Sequence, residues 1–102
     1  MSTIKIRPRT KDDLADIWDY IAEDSEARAD AFLESIEDKL KLLAENPRMG
    51  RLRDELVDKL RSWLIIRPYI VFYFPLSDGV EVIRILHGSR DIDSLLLEDD
   101  FF

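Results

Sequence analysis

His87 is the residue with the clearest capacity for chemistry, and it is the only histidine in this 102-residue chain. Imidazole titrates near neutral pH and can therefore act as a general acid or base. RNA cleavage without a metal needs such a group, together with cations that stabilise the charged phosphate. Arg67 and Arg84 are the candidate cations, although the apolar strand residues around Arg84 favour a structural ion pair. The alternative for His87 is a structural role, at the end of a strand and bonded to the backbone or to Asp91.

Other kinds of catalytic site find little support in the sequence. The chain has no cysteine, and a single histidine leaves too few nitrogen and sulfur ligands for zinc. A carboxylate-pair hydrolase or a cation site needs acids that converge on one point, whereas Asp12-Asp13 and Asp54-Glu55 are neighbours in sequence. We interpret Asp12-Asp13 as charge at the start of a helix, where it suits the helix dipole. The sequence therefore predicts neither a metal ion nor a cofactor.

The net charge of −7 argues against nucleic acid as a direct ligand, because an acidic surface repels a polyanion. The charges are unevenly distributed along the chain. Residues 12–45 hold twelve acids and three basic residues, whereas residues 46–67 hold six basic residues and three acids. The second segment predicts a local positive patch, with scattered and solvated arginines as the alternative.

A strand and two helices are the first elements that would position these residues. Residues 3–7 alternate apolar and polar side chains, which is the period of a half-buried strand, and Pro8 ends it. A helix is expected to begin at about Thr10 and to end near residue 24, with an apolar face at helical spacing. Ser25 can cap a second helix that runs to Asn46-Pro47. The two helices are expected to fold back as an antiparallel hairpin.

The remaining sequence predicts a sheet that covers the hairpin. Residues 60–66, 69–74 and 80–86 are rich in β-branched and aromatic residues and are separated by turn residues, among them Gly79, which can take a positive φ angle. Three such runs most simply form an antiparallel meander, and the tail after Asp91 is expected to be a short helix. The predicted fold is one α+β domain over residues 1–102, in the order β-α-α-β-β-β, with the helix hairpin packed on a mainly antiparallel sheet.

Three motifs, in this order, resemble the ParE/RelE toxin superfamily and above all its ParE branch. They are Asn46-Pro47…Gly50-Arg51 between helix and sheet, Arg67…Tyr69-Ile70-Val71-Phe72-Tyr73 in the hairpin, and Ile85-Leu86-His87-Gly88-Ser89-Arg90-Asp91 at the end of the last strand. The resemblance covers nearly the whole chain. It implies the RelE-like fold and the toxin of a type II toxin–antitoxin system of the plasmid-stabilisation kind.

The superfamily offers two activities, since ParE-like members are known as poisons of DNA gyrase and RelE-like members cut messenger RNA on the ribosome. Fold alone cannot choose between them. The nucleases carry several basic residues on the sheet and a tyrosine or histidine near the carboxy terminus. This chain departs from that pattern, because nothing after Arg90 is basic and no tyrosine follows Tyr73. The pair His87-Gly88 also resembles one in ParE-like toxins that are not nucleases.

We therefore predict a toxin that poisons DNA gyrase by binding and has no catalytic residue. One alternative is a ribosome-dependent mRNA endonuclease that uses His87, Arg84 and Arg67, and another is a non-toxic module that only binds an antitoxin. The predicted partners are a ParD-like antitoxin and DNA gyrase, without direct binding of nucleic acid. The candidate partner-binding residues are Arg48, Arg51, Arg53, Arg61, Trp63, Phe101 and Phe102. Exposed aromatic residues such as the last two can mark interfaces.

The amino terminus lacks the apolar core of a signal peptide, and no apolar run approaches membrane-spanning length. We therefore expect a cytoplasmic protein that makes no contact with a membrane.

Overall fold

The computed structural model describes residues 2–98 and has a mixed α+β fold. Its elements in chain order are β1 (Thr3–Ile6), α1 (Pro8–Ala22), α2 (Glu26–Glu45), β2 (Arg51–Leu52), β3 (Arg61–Ile66), β4 (Tyr69–Leu76), β5 (Gly79–His87) and α3 (Ile92–Glu98). The strands form one sheet in the order β1-β5-β4-β3-β2. β1 runs parallel to β5, and the other neighbouring strands are antiparallel. The predicted helix hairpin on a mainly antiparallel sheet is confirmed, whereas β2 was not predicted.

The first helix begins at Pro8, before the predicted start at Thr10. Proline suits the first position of a helix, because its φ angle is already helical and its missing N–H would have no partner there. Thr10 is fully buried and does not cap the helix; its hydroxyl donates to the carbonyl of Val82 at 3.2 Å. The predicted start at Thr10 was therefore wrong. The sequence did not show that the Thr10 hydroxyl bonds to Val82, because the two residues are 72 positions apart.

The helix hairpin is held by caps and by one contact between its helices. The Ser25 hydroxyl accepts the N–H of Arg28 at 3.2 Å, which confirms the predicted cap of α2. Trp18 Nε1 donates to Asp30 at 2.8 Å and ties α1 to α2. At the far end of α2, the Asn46 side chain donates to the carbonyl of Leu42 at 3.0 Å. The contacts of Ser25 and Asn46 thus lie at the two ends of α2, where the sequence predicts them.

Apolar side chains pack against both faces of the sheet. The cluster between the sheet and the helix hairpin contains Ile17, Ile36, Leu40, Leu43, Ala44, Ile65, Val71, Tyr73, Val80, Val82 and Ile85. The cluster on the opposite face contains Leu60, Phe72, Ile83, Leu86 and Leu96, the last from α3. Successive strand residues point to opposite faces, so Phe72 belongs to one cluster and its neighbours Val71 and Tyr73 to the other. The short helix α3, expected from the tail, therefore covers the second face.

Gly79 is required by the close approach of two strands. Thr3 of β1 pairs directly with Gly79 of β5, and a Cβ at Gly79 would overlap the Thr3 carbonyl. The positive φ angle considered for this glycine is not observed, since no glycine within residues 2–98 has one. The turn chemistry read from the sequence was therefore the wrong reason for this residue.

Lys59 takes the left-handed backbone conformation, with a φ angle of 65°, in the connection between β2 and β3. Its N–H donates to Asp54 Oδ1 at 2.8 Å, which helps to hold the turn. A residue with a Cβ is about 1–2 kcal/mol less stable in that conformation than in a right-handed one, and glycine avoids most of this difference.

We therefore predict that Lys59→Gly is more stable than Lys59→Ala by about 1 kcal/mol in urea denaturation. Lys39, in the middle of α2, is the matched control, and there glycine should be less stable than alanine by about 1 kcal/mol. A difference of the same sign at both positions would contradict the left-handed conformation of Lys59.

Candidate partner-binding surface

Arg84, one of the three residues of the nuclease alternative, lies in a buried ion pair with Asp13. Its Nε and Nη2 atoms each donate to the carboxylate at 2.9 Å, which is the bidentate geometry of strong arginine–carboxylate pairs. The side chains of Arg84 and Asp13 are only 5% and 9% exposed. This is the structural pairing that the apolar neighbours of Arg84 predicted. It leaves the guanidinium buried and directed at a carboxylate rather than at a surface ligand.

Asp13 was predicted to be charge at the start of a helix, but it is a buried ion-pair partner. Its carboxylate accepts the N–H of Ile85 at 3.0 Å as well as both Arg84 donors. β1 pairs with β5 only as far as Val82, so within the described residues β5 has no strand on that side beyond this point. Asp13 thus satisfies a backbone donor that a longer β1 would have taken. Asp12, in contrast, is exposed as expected.

His87 ends β5 and is half-buried. Its Nδ1 accepts the N–H of Ser89 at 3.1 Å and lies 2.7 Å from the Ser89 hydroxyl oxygen. Because Nδ1 is an acceptor, the neutral ring carries its proton on Nε2. The expected bond to the backbone is therefore present, but Asp91 bonds to Ser94 and not to His87. His87 also stands edge-on to Tyr69, with 5.5 Å between the ring centroids.

The three residues of the nuclease alternative lie in different settings. Arg84 is paired with Asp13, and Arg67 lies exposed in the turn between β3 and β4. The residues that border the small pocket beside His87 include the carboxylates of Asp13 and Asp16. Carboxylates disfavour the approach of a phosphate. A protein without a catalytic residue stays a prediction, and this arrangement is consistent with it.

The predicted partner-binding residues within residues 2–98 gather at the β2 end of the sheet. We call this surface the basic edge and define it as Arg48, Met49, Arg51, Leu52, Arg53, Arg61, Trp63 and Leu64. β2 pairs Arg51 with Ser62 and Leu52 with Arg61. Within the described residues, β3 has no neighbouring strand on its outer side from Trp63 to Ile66. The backbone N–H and C=O groups on that side are therefore open to a partner. Phe101 and Phe102 lie outside the described residues.

The arginines of the basic edge divide into structural and exposed ones. Arg61 Nη1 donates to the carbonyls of Gly50 at 2.7 Å and Arg48 at 3.2 Å. Arg53 pairs with Glu55 at 2.8 Å, and this hydrogen bond lowers the pKa of the Glu55 carboxyl. Arg48 and Arg51, in contrast, have exposed side chains. These two arginines are the best placed to bind a partner.

Three apolar residues of the basic edge, Met49, Leu52 and Leu64, were not predicted from the sequence. Leu52, Leu64 and Met49 are 46%, 47% and 41% exposed, and they are three of the five most exposed large apolar side chains described. Trp63 is half-buried against the cluster under the helices. The alternation of apolar and polar residues along a strand did not identify these exposed side chains, because their exposure depends on where β2 ends. The basic edge thus combines cations, apolar side chains and an open strand.

Tyr73 holds the loop that carries Arg48 and Arg51. Its hydroxyl donates to the Pro47 carbonyl at 2.8 Å and accepts the Gly50 N–H at 2.9 Å. A Cβ at Gly50 would overlap this hydroxyl, which explains the glycine of the Asn-Pro…Gly-Arg motif. Burial raises the pKa of Tyr73 above its ordinary value. The link between the loop motif and the tyrosine-rich strand was not apparent in the sequence, where they are 23 positions apart.

Residues 4–92 match the family model of the ParE toxin of the type II toxin-antitoxin system, parDE. The chain belongs to the ParE toxin family. It is 32% identical over 78 residues to Toxin RelE2 of Caulobacter vibrioides, across 76% of this chain and 85% of that relative. It is 29% identical over 90 residues to Toxin ParE1 of Mycobacterium tuberculosis, across 86% of this chain and 91% of that relative. The resemblance to the ParE branch is confirmed.

The fold of this ParE-family chain is also found in a solved structure. A chain of the chromosomal ParDE TA system from P. aeruginosa superposes with a TM-score of 0.70 at 22% sequence identity. The match covers 85% of this chain and 96% of that one. In the described part of this family member, no helix is long and apolar enough to cross a membrane.

The buried ion pair between Asp13 and Arg84 gives a prediction about stability. Asp13→Asn keeps the shape of the side chain but removes the negative charge that faces the buried Arg84 guanidinium, which should lower the free energy of unfolding by about 3–5 kcal/mol. Asp12→Asn, the exposed neighbour, should change it by less than about 0.5 kcal/mol. Urea denaturation measures both values. Adding Arg84→Met to Asp13→Asn should recover part of the loss, and equal effects of the two single variants would disprove the buried pair.

Tyr73 gives a prediction of pH dependence. Its folded-state pKa is raised by burial, so its contribution to stability is complete below about pH 10 and is lost as the pH rises through the folded value. Tyr73→Phe should cost about 1–3 kcal/mol at neutral pH, because Gly50 and Pro47 lose their partner. The variant should also lose less stability than the wild type between neutral pH and alkaline pH.

Thermal unfolding measured across that pH range tests the effect. Tyr20→Phe, at a side chain that is 70% exposed, is the control, and its alkaline slope should change less than that of Tyr73→Phe, because Tyr20 makes only the smaller contribution to the raised pKa of Tyr69. Tyr69, whose pKa burial also raises, contributes in the same direction and is left intact. An unchanged alkaline slope in Tyr73→Phe would show that Tyr73 is not the group responsible.

Proposed function

We propose that this chain is a type II toxin that binds and poisons DNA gyrase in the cytoplasm, and that a ParD-like antitoxin neutralises it. Membership of the ParE toxin family supports the toxin role. The similar chain from P. aeruginosa belongs to a system named ParDE, which supports an antitoxin partner. The basic edge is the observation that best supports a protein as the target of this chain.

The basic edge has the features of a protein–protein contact. Arginine and large apolar side chains supply most of the binding free energy at interfaces, and here Arg48 and Arg51 stand beside Leu52 and Leu64. The outer side of β3 can also accept an extended segment as an added strand. Because the rest of the chain is acidic, this surface is the natural site for an acidic region of a target protein.

A ribosome-dependent endonuclease is the second candidate, and His87 is the observation that favours it. The ring lies beside Tyr69 with a proton on Nε2 when it is neutral. An RNA phosphate near His87 would meet the exposed carboxylate of Asp16 as well as the cation of Arg90, while Arg84 and Asp13 are already bound to each other. We therefore rank gyrase poisoning first. A non-toxic module that only binds an antitoxin is the third candidate.

We predict that the purified protein inhibits supercoiling by gyrase and traps cleavage complexes. The double variant Arg48→Glu/Arg51→Glu should need at least about tenfold more protein for the same inhibition, since two interface cations become anions. The matched control is Arg28→Glu/Lys39→Glu, which reverses two exposed charges on α2 and should keep its potency within about twofold. Circular dichroism and thermal unfolding establish that both variants are folded.

The outcomes separate the three candidates. If folded wild-type protein at saturation neither inhibits gyrase nor traps breaks, gyrase poisoning is wrong. Primer extension on translated messages then tests the nuclease, which requires cleavage by the wild type and its loss in His87→Ala. If expression without any antitoxin is harmless to the cell, the third candidate remains, a non-toxic module that only binds an antitoxin.

A further inference from the structure

A small pocket of about 130 Å³ opens between α1 and the end of β5. We call it the aromatic pocket, because the rings of Tyr20, Tyr69 and His87 border it, together with the carboxylates of Asp13 and Asp16. It lies on the helix side of the molecule and is distinct from the basic edge.

The rings of the aromatic pocket are held in place and partly open to solvent. Tyr69 is flanked by Phe32 and His87, each edge-on, with ring centroids 5.7 and 5.5 Å away. Tyr20 is 70% exposed, the highest value among the exposed large apolar side chains described. An aromatic face attracts a cation through its quadrupole, and several rings around one position form a site for a positively charged side chain.

The charges at the aromatic pocket favour the same ligand. Asp13 is neutralised by Arg84, whereas Asp16 is exposed. Asp16 lies three residues after Asp13 and four residues before Tyr20, so all three side chains share one face of α1. A guanidinium group can stack on a ring and bond to a carboxylate at the same time. A phosphate or carboxylate ligand would be repelled by Asp16.

The charges around the aromatic pocket extend this preference for a cation from one side chain to a whole segment of the partner. The helix hairpin carries eleven exposed acids and five exposed basic residues within residues 8–45. A segment that crosses this surface gains from positive charge along its length and is repelled if it is acidic. Complementarity of charge therefore selects a basic stretch of polypeptide as the occupant.

We propose that the aromatic pocket receives an arginine side chain from a basic segment of the antitoxin, with the guanidinium between Tyr20 and Tyr69 and bonded to Asp16. This inference rests on the proposed pairing with an antitoxin, and it holds whether the toxin acts on gyrase or on messenger RNA. It assigns the contact of the antitoxin to the helix side of the molecule.

The test measures the affinity of the antitoxin encoded beside this gene for variants of the full-length toxin. Asp16→Asn and Tyr20→Ala should each raise Kd about tenfold, and Asp16→Asn should also weaken the dependence of Kd on salt. The matched controls are Asp38→Asn and Leu42→Ala, which change an exposed acid and an exposed apolar residue of α2 and should leave Kd within about twofold. All four positions are exposed, and thermal unfolding verifies each fold.

Arg90 provides a variant with the opposite expected sign. It is exposed and borders the pocket as a cation of this chain. If the ligand is a cation, Arg90→Ala removes a like charge and should tighten binding about two- to threefold. Weaker binding by Arg90→Ala would point to an anionic ligand and would overturn the proposal.

Substitutions in the antitoxin then identify the arginine. One Arg→Met variant should lose about tenfold in affinity for the wild-type toxin and little further for Asp16→Asn/Tyr20→Ala, which is the signature of a direct contact. If the antitoxin binds the wild type and both pocket variants equally well, the pocket assignment is wrong while the pairing stands. If the antitoxin does not bind the wild type at all, the pairing itself fails and the inference with it.

Discussion

A single buried carboxylate, that of Asp13, joins the helix hairpin to the last strand of the sheet. It accepts two donors from Arg84 and the backbone N–H of Ile85, at a point where β1 has already ended. A buried ion pair adds little net stability compared with apolar side chains, but a partner without its counter-charge is very unfavourable. The pair therefore acts mainly as a constraint on geometry, because only one placement of α1 on β5 satisfies all three donors.

Two separate contacts position the two faces of functional interest, the ion pair of Asp13 on α1 and the hydroxyl of Tyr73 on β4. On the helix side, the two helical turns of α1 that follow Asp13 place Asp16 and Tyr20 beside the end of β5. These residues border the aromatic pocket. At the other end of the sheet, Tyr73 holds the loop before β2 through the Pro47 carbonyl and the Gly50 N–H. The result is an acidic, aromatic surface and a basic, apolar one on the same small protein. Surfaces of opposite charge suit partners of different composition.

The comparisons place the chain in the ParE toxin family, yet relatives named ParE and RelE are similarly close to it in sequence. One fold therefore serves more than one kind of toxin, and individual side chains must decide the target. In this chain the pocket beside His87 is bordered by two carboxylates, two tyrosines and the exposed cation Arg90, while Arg84 is already paired with Asp13. That setting suits recognition of a cationic protein segment better than it suits the stabilisation of a phosphate.

Local patterns in the sequence were enough for the helices, the main strands and the family. The Ser25 cap, the stop at Asn46 and the aromatic run of β4 each depend on neighbouring residues, and each was predicted correctly. The basic residues from Arg48 to Arg61 were also expected to form a patch, and they do meet at one edge.

The remaining features depend on partners that are distant in sequence. Asp13 was interpreted as charge that suits the dipole at a helix start, but its carboxylate pairs with Arg84, which is 71 positions away. The same holds for Gly79 against Thr3 and for Tyr73 against Gly50. Periodicity and composition report which faces are apolar, whereas the identity of a buried polar partner follows only from the packing of α1 on the sheet. That packing is what the tertiary structure decided.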